Sequence, residues 1–317
     1  MDESAPRSGK VRSTIEAPYE SRERRVNTDP RERPQHPRRV SPWVIALGSI
    51  LLVCAALTAC TAAAAGAFQG LLVATSPARA TVNRQLAVGA LPTVQIDADT
   101  ADIQVAQGAA SQVVVTLTKE THAITQSLAR QALDAITLDT EQNGDRVIIR
   151  VKSPDGPGVF GAAQRKISLD VTLPPTANVG VTSSVGDVRI NDIAGRITVQ
   201  TSVGDVTMRG VTLSGSSSVR ASVGNMEIEG ALAPATTLDL TASVGDVDLA
   251  LPSDTRAHVE ATTSVGDANV SGFPYATDAL TSSHGISTDL NPNPQSMITA
   301  RLSTGDLRLH ASSRAGA

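Results

Sequence analysis

An all-β fold, a β-solenoid (β-helix-like) of about 20-residue coils with one short helix, is what this 317-residue sequence predicts, preceded by a disordered tail and a single transmembrane helix. Three observations predict it. A short motif ending in Gly-Asp recurs at near-constant spacing through residues 179–310. Aromatic residues make up 2% of the chain while Val, Ala, Thr, Ser, Gly and Asp abound, which suits many short strands joined by tight turns around a thin aliphatic core. One uncharged apolar run, preceded by a cluster of arginines, stands near the N-terminus.

Residues 1–40 are rich in Arg, Glu, Pro and Ser and nearly free of large apolar side chains. They cannot bury enough surface to offset the entropy of ordering, so a disordered basic cytoplasmic tail is expected. Residues 41–74 hold the membrane helix and its flank. From Trp43 to Ala65 the run WVIALGSILLVCAALTACTAAAA gives about 23 residues, enough at about 1.5 Å each to cross a hydrocarbon layer of about 30 Å. Arg38 and Arg39 directly precede it, with Arg22, Arg24, Arg25, Arg31 and Arg33 close behind. That excess puts the N-terminus in the cytoplasm and the C-terminal domain outside it, at the cell membrane, with Trp43 at the headgroup level. Two processing routes compete with this uncleaved single-pass anchor: Leu57-Thr58-Ala59-Cys60 resembles a lipobox, and Ala78-Arg79-Ala80 fits a signal peptidase site. The long basic tail, and the apolar Leu71-Leu72-Val73 beyond Cys60, favour the uncleaved helix.

A linker is expected over residues 75–92 and an N-terminal β part over 93–178. Strand-like runs appear at Val94-Gln95-Ile96, Val113 to Leu117, Val147 to Val151 and Ile167 to Leu173, each bounded by turn formers. Only 122–136 has helical spacing, with Ile124, Leu128, Ala132 and Ile136 recurring every four residues. Both cysteines, Cys54 and Cys60, lie in the apolar run, so neither a disulfide nor a thiolate metal site holds the rest together. The formal net charge is −4, but residues 1–40 hold ten of the 27 Lys and Arg and seven of the 31 Asp and Glu. The remainder, 17 basic against 24 acidic, argues against nucleic acid as a partner.

The solenoid is expected over residues 179–310, with 311–317 a tail. The units read SSVGDVRI, TSVGDVTM, ASVGNMEI, ASVGDVDL, TSVGDANV, a degenerate SSHGISTD, and LSTGDLRL, with glycines at Gly186, Gly204, Gly224, Gly245, Gly266, Gly285 and Gly305. Their spacings of 18, 20, 21, 21, 19 and 20 residues match one coil each. Leu238, Leu240, Ala242 and Val244 alternate before Gly245, and Val247 and Leu249 alternate after it. All are expected to face the core. The same phase holds for Val179, Val181, Val185, Val188 and Ile190, and for Ile197, Val199, Val203, Val206 and Met208. Because Val244 and Val247 are three apart, the period of two slips by one and the chain must bend at the glycine. The expected structural corners are therefore Gly186-Asp187, Gly204-Asp205, Gly224-Asn225, Gly245-Asp246, Gly266-Asp267 and Gly305-Asp306, stacked one on the next.

These units resemble the bacterial putative adhesins, a β-strand-repeat domain of unknown function often found behind one membrane helix. The resemblance covers residues 90–310 and rests on the recurring V-G-D-V units, on LPPTANVGV from Leu173 to Val181, and on the opening unit DADTADIQV from Asp97 to Val105. This chain departs from the pattern at Ala101, where glycine is usual, and at Ile286, where Asp belongs. The resemblance implies surface attachment and supplies no catalytic residues.

Four groups of residues are candidates to carry chemistry. Asp187, Asp205, Asp246, Asp267 and Asp306, with Asn225 among them, share one phase, and neighbours at about 4.8 Å in water repel by roughly 1 kcal/mol. Backbone amides capping each carboxylate would relieve this, with a row of calcium ions as the alternative. Ser184, Ser202, Ser222, Ser243, Ser264, Ser283 and Ser303 form an outward hydroxyl ladder, read as a solvated face or as a glycan- or strand-binding stripe. His122, His258, His284 and His310 show no ligand spacing, so no metal and no cofactor are expected. The glycines of Asp155-Gly156-Pro157-Gly158 lie beside proline in a loop. Beyond residue 74 the aromatics are Phe160, Phe273 and Tyr275, too few for the sugar platforms of a polysaccharide-active solenoid. The expected function is a non-enzymatic scaffold at the cell envelope, adhesin-like, with an unidentified envelope or surface partner. The alternative is an envelope sensor that signals through the cytoplasmic tail.

Overall fold

The computed structural model describes residues 76–153, 162–276, 280–282 and 285–312. The tail of residues 1–40, the apolar segment 41–74 with Trp43, Cys54 and Cys60, the loop of Asp155 to Gly158, Phe160, Ser283, His284 and residues 313–317 lie outside them. Among the described residues no helix is long and apolar enough to cross a membrane. The fold is all-β with one short helix.

The N-terminal part contains β1 (Ser76–Ala87), β2 (Thr93–Thr100), β3 (Asp102–Gln107), β4 (Gln112–Ala123), α1 (Gln126–Asp134), β5 (Thr137–Asn143), β6 (Arg146–Lys152) and β7 (Ala162–Leu173). The segment expected to be a linker, 75–92, thus carries a strand. Val82 and Leu86 of β1 pack on the core, and all twelve residues pair antiparallel with β4. Ala78-Arg79-Ala80 therefore lies inside a strand.

The helix is shorter than the expected 122–136, because β4 continues to Ala123 and Thr125 caps α1 by accepting from the Leu128 amide. Ile124, the first residue of the helical spacing, lies before the helix and is exposed, and the buried face is Ala129 and Leu133, followed by Ile136. Lys119, a residue 8% exposed, holds the helix end: its ammonium donates to the carbonyls of Leu133 and Ile136 at 2.9 and 2.7 Å. A cation belongs at the negative end of a helix.

The repeat part continues as β8 (Asn178–Val185), β9 (Val188–Asn191), β10 (Ala194–Gly195), β11 (Ile197–Val203), β12 (Val206–Leu213), β13 (Ser216–Val223), β14 (Met226–Leu232), β15 (Thr237–Val244), β16 (Val247–Pro252), β17 (Ala257–Val265), β18 (Ala268–Ser271), β19 (Leu280–Ser282), β20 (Gly285–Asp289), β21 (Ser296–Thr304) and β22 (Leu307–Ser312). Each Gly-Asp unit sends the strand before its glycine to one eleven-stranded sheet and the strand after it to a second. Equivalent strands pair in parallel and in register, so side chains form continuous inward rows. One row is Ile96, Val181, Val199, Val219, Leu240, Ala300 and Ala261. The other sheet supplies Ile103, Val188, Val206, Met226, Val247, Leu307 and Ala268. Both rows belong to one hydrophobic cluster.

The spatial order of the units differs from their order in the chain. β21 and β22, the seventh unit, lie between the fourth unit (β15 and β16) and the fifth (β17 and β18). The degenerate sixth unit builds no parallel layer. Its β20 runs antiparallel to β17, opposing Ile286 to Ala261, and pairs with β19 as a hairpin.

Candidate interaction surface at the glycine-aspartate corner

The corner is built by main-chain geometry that only glycine supplies. Gly186, Gly204, Gly224, Gly245, Gly266 and Gly305 all have φ between +127° and +143°, a region L side chains rarely adopt. Space excludes a side chain as well: a Cβ on Gly245 would collide with the carbonyl oxygen of Gly224 in the adjacent layer. Among the described residues Ala101 is the first of this column. Its amide donates to Val185 at 3.0 Å as a corner glycine would, yet it lacks the positive φ of the glycines that follow.

A relay of hydrogen bonds runs along the column. The Gly186 amide donates to Val203, Gly204 to Val223, Gly224 to Val244, and Gly245 to Thr304, each at 3.0 Å, and Gly305 donates to Val265 at 2.9 Å. In the opposite direction the bend leaves the amide of each following Asp or Asn without a strand carbonyl. The side chain of the preceding layer replaces it. Oδ1 of Asp102 accepts from the Asp187 amide at 3.3 Å, Asp187 from Asp205 at 3.1 Å, and Asp205 from Asn225 at 2.8 Å. Asn225 then accepts from Asp246 at 3.0 Å, Asp246 from Asp306 at 2.9 Å, and Asp306 from Asp267 at 3.1 Å. The capped amides thus belong to the neighbouring layer, not to the residue's own turn. Two outer oxygens are further held by arginine, Arg189 on Asp187 at 2.9 Å and Arg308 on Asp306 at 3.1 Å.

The bend begins earlier than the sequence suggests. Ala242 is the last inward residue before Gly245, and Val244, expected in the core, is 50% exposed. Val185, Val203, Val223 and Val265 are likewise exposed rather than buried. They stack as Val185, Val203, Val223, Val244, Thr304 and Val265, so interior members are half-covered by their neighbours, and Val265, with one such neighbour, is barer at 62%. Beside them Ser184, Ser202, Ser222, Ser243, Ser264 and Ser303 are exposed as the alternation requires. The corner surface is a serine row against a valine row.

The other candidates come together only in part. Sequence separation hid one group: His258 Nδ1 lies 2.6 Å from Asp289 and its Nε2 lies 3.8 Å from Glu260, because β20 returns antiparallel beside β17. His310 pairs with Asp248 at 3.1 Å. On the same outer face Arg209 bonds Glu227 at 2.7 Å, and that hydrogen bond raises its already high pKa. A shallow recess of about 350 Å³ is bounded by Arg79, Glu120, Lys166, Asp170 and Arg189 over Thr118 and Ser168, with Arg79 and Glu120 paired at 3.3 Å. Among the described residues no group of three or more His, Cys, Asp and Glu side chains is arranged to hold a metal ion.

The sequence profile of the Toastrack DUF4097 family matches residues 91–241 and 175–310. The chain belongs to that family. Among solved structures, a putative cell adhesion protein from Clostridium sporogenes is 9% identical with a TM-score of 0.44, over 74% of this chain and 100% of that one. A putative adhesin from Bacteroides fragilis is 14% identical with a TM-score of 0.42, over 73% and 97%. A putative lipid binding protein from Parabacteroides distasonis is 9% identical with a TM-score of 0.21, over 74% and 97%. No curated protein matches.

Proposed function

We propose that this member of the Toastrack DUF4097 family is a non-enzymatic, adhesin-like interaction scaffold at the cell envelope, a β-solenoid anchored by the apolar segment that begins at Trp43. The observation that carries the reading is the carboxylate relay. The residue type most able to do acid-base or metal chemistry is engaged along the column: the carboxylates of Asp102, Asp187, Asp205, Asp246 and Asp306 each accept a main-chain amide from the next layer. What repeats on the outside is a serine row and a half-exposed valine row, a passive surface suited to docking rather than turnover.

The anchor is supported by the uncharged 23-residue run from Trp43 to Ala65 and the arginines before it. Such a chain holds its repeat domain outside the cytoplasm, facing envelope or surface partners. The purified segment from Ser76 onward, immobilised and exposed to solubilised envelope and to intact cells, is expected to retain a surface component. It is expected to leave envelope polysaccharides uncleaved. Cleavage of any such polymer, or loss of a transcriptional response on deleting residues 1–40 while surface binding persists, would replace this reading with an enzymatic or a signalling one.

A further inference from the structure

The placement of the last unit creates a receptor for a strand. β15 and β16 form one wall and β17 and β18 the other, and both precede the filler in the chain. In the folded chain β21 and β22 hold these walls two strand spacings apart, about 9.6 Å, and pair with a parallel edge of each. The slot is selective. On one side the Gly245 and Val247 amides need carbonyls, met by Thr304 and Asp306 at 3.0 and 2.9 Å, and the Asp246 carboxylate needs an amide, met by Asp306 at 2.9 Å. On the other side Val265 and Asp267 offer carbonyls to Gly305 and Leu307, both at 2.9 Å, while the Asp267 amide donates to the Asp306 carboxylate at 3.1 Å. Only an extended segment with Gly-Asp at its bend and alternating apolar residues meets all of these. The chain's own example is MITARLSTGDLRL.

We propose that this slot accepts the seventh unit of a second copy of the chain, so that copies exchange Ser296–Ser312 and become linked. The interfaces within the slot are identical whether the unit comes from the same copy or another, which makes exchange inexpensive once the slot is open. What differs is the tether. Residues 290–295 join β20 to β21 and are pinned to the facing turn, the Asn291 side chain donating to the Ser253 and Thr255 carbonyls at 2.9 Å and the Gln295 amide to Arg256 at 3.0 Å. The tether gives a copy's own unit the advantage of proximity, and that advantage falls as copies crowd together.

Thr237 and Met297 are register partners on β15 and β21, both exposed, and they report whose unit fills the slot. In full-length chains with Cys54→Ser and Cys60→Ser, one copy carries Thr237→Cys and a differently tagged copy Met297→Cys. Co-expression followed by oxidation is expected to give a mixed disulfide-linked dimer. Gly305→Val, which drives a side chain into the Gly245 carbonyl, adds direction. Placed in the Met297→Cys copy it is expected to abolish the dimer, and placed in the Thr237→Cys copy to raise it several-fold, because that copy can no longer fill its own slot. Two results would overturn the proposal. One is no mixed dimer while a single chain carrying both cysteines closes internally; the other is a dimer indifferent to which copy carries Gly305→Val.

Discussion

Asp246 isolates what the corner carboxylates do. Its Oδ1 accepts from the Asp306 amide at 2.9 Å, and that amide has no strand carbonyl to turn to at the bend. Asp246→Ala removes a charge-assisted bond, for which about 1.5–3 kcal/mol is typical, but the side chain is exposed and water can partly replace it, leaving about 1 kcal/mol. For a domain of this size that corresponds to a fall of about 2–4 °C in Tm. Asp246→Asn keeps an acceptor oxygen in the same place, as Asn225 does in the adjacent layer, and should cost no more than a few tenths of a kcal/mol. Thermal and urea melts of the segment from Ser76 onward, with and without chelator, measure both. The amide relay is refuted if Asp246→Asn is as damaging as Asp246→Ala, or if chelator lowers the Tm of the unaltered chain and not that of Asp246→Ala.

Gly245→Val should cost about 3 kcal/mol or more in a urea melt, since backbone strain of about 1–3 kcal/mol adds to displacement of the Gly224 carbonyl, whereas Ala101→Gly should cost under about 1 kcal/mol. Lys119→Met takes the ammonium from the Ile136 carbonyl and leaves the Leu133 carbonyl with main-chain donors alone; a loss of about 1–3 kcal/mol is expected, with faster amide exchange confined to α1 and its neighbours. An epitope placed at residue 5 should resist protease applied to intact cells, and its removal would reverse the orientation read from Arg38 and Arg39.

Much of the fold was legible because each unit repeats two simple signals, a period of two and a glycine that breaks it. The slip between Val244 and Val247 announces a bend, but period alone leaves open whether the bend starts before or after Val244. The structure starts it before, so the valines expected in the core lie at the surface. Lys119 had a readable signal: it continues the inward phase of Val113, Val115 and Leu117, and a lysine there demands buried acceptors. Strand β1 was concealed by weak alternation, with Arg84 standing between Val82 and Leu86. The group around His258 had no local signal, because Asp289 reaches it only through the antiparallel return of β20. Layer order was hidden for a related reason. Every unit with Gly-Asp or Gly-Asn at its bend presents the same donors and acceptors on its edges, so the strands alone permit any of these units to sit on any other.

The relay supplies the constraint that local sequence does not. In chain order the sixth unit would follow the fifth, placing Ile286 where each layer needs a side-chain oxygen for the next layer's amide. A stack built that way would leave one corner amide without an acceptor and one φ-strained bend without its closing bond, a cost of about 1–3 kcal/mol at a single layer. The observed order avoids it. Ile286 turns inward in the antiparallel β20, 5% exposed, and the seventh unit, which has both Gly305 and Asp306, takes the vacant layer between the fourth and fifth. The relay then runs unbroken from Asp102 to Asp267. The hairpin of β19 and β20 also carries the chain back along β17, so that β21 enters parallel to it. The two departures in the sequence therefore have one explanation. Ala101 stands at the start of the column and Ile286 outside it, and every position between them keeps glycine followed by Asp or Asn.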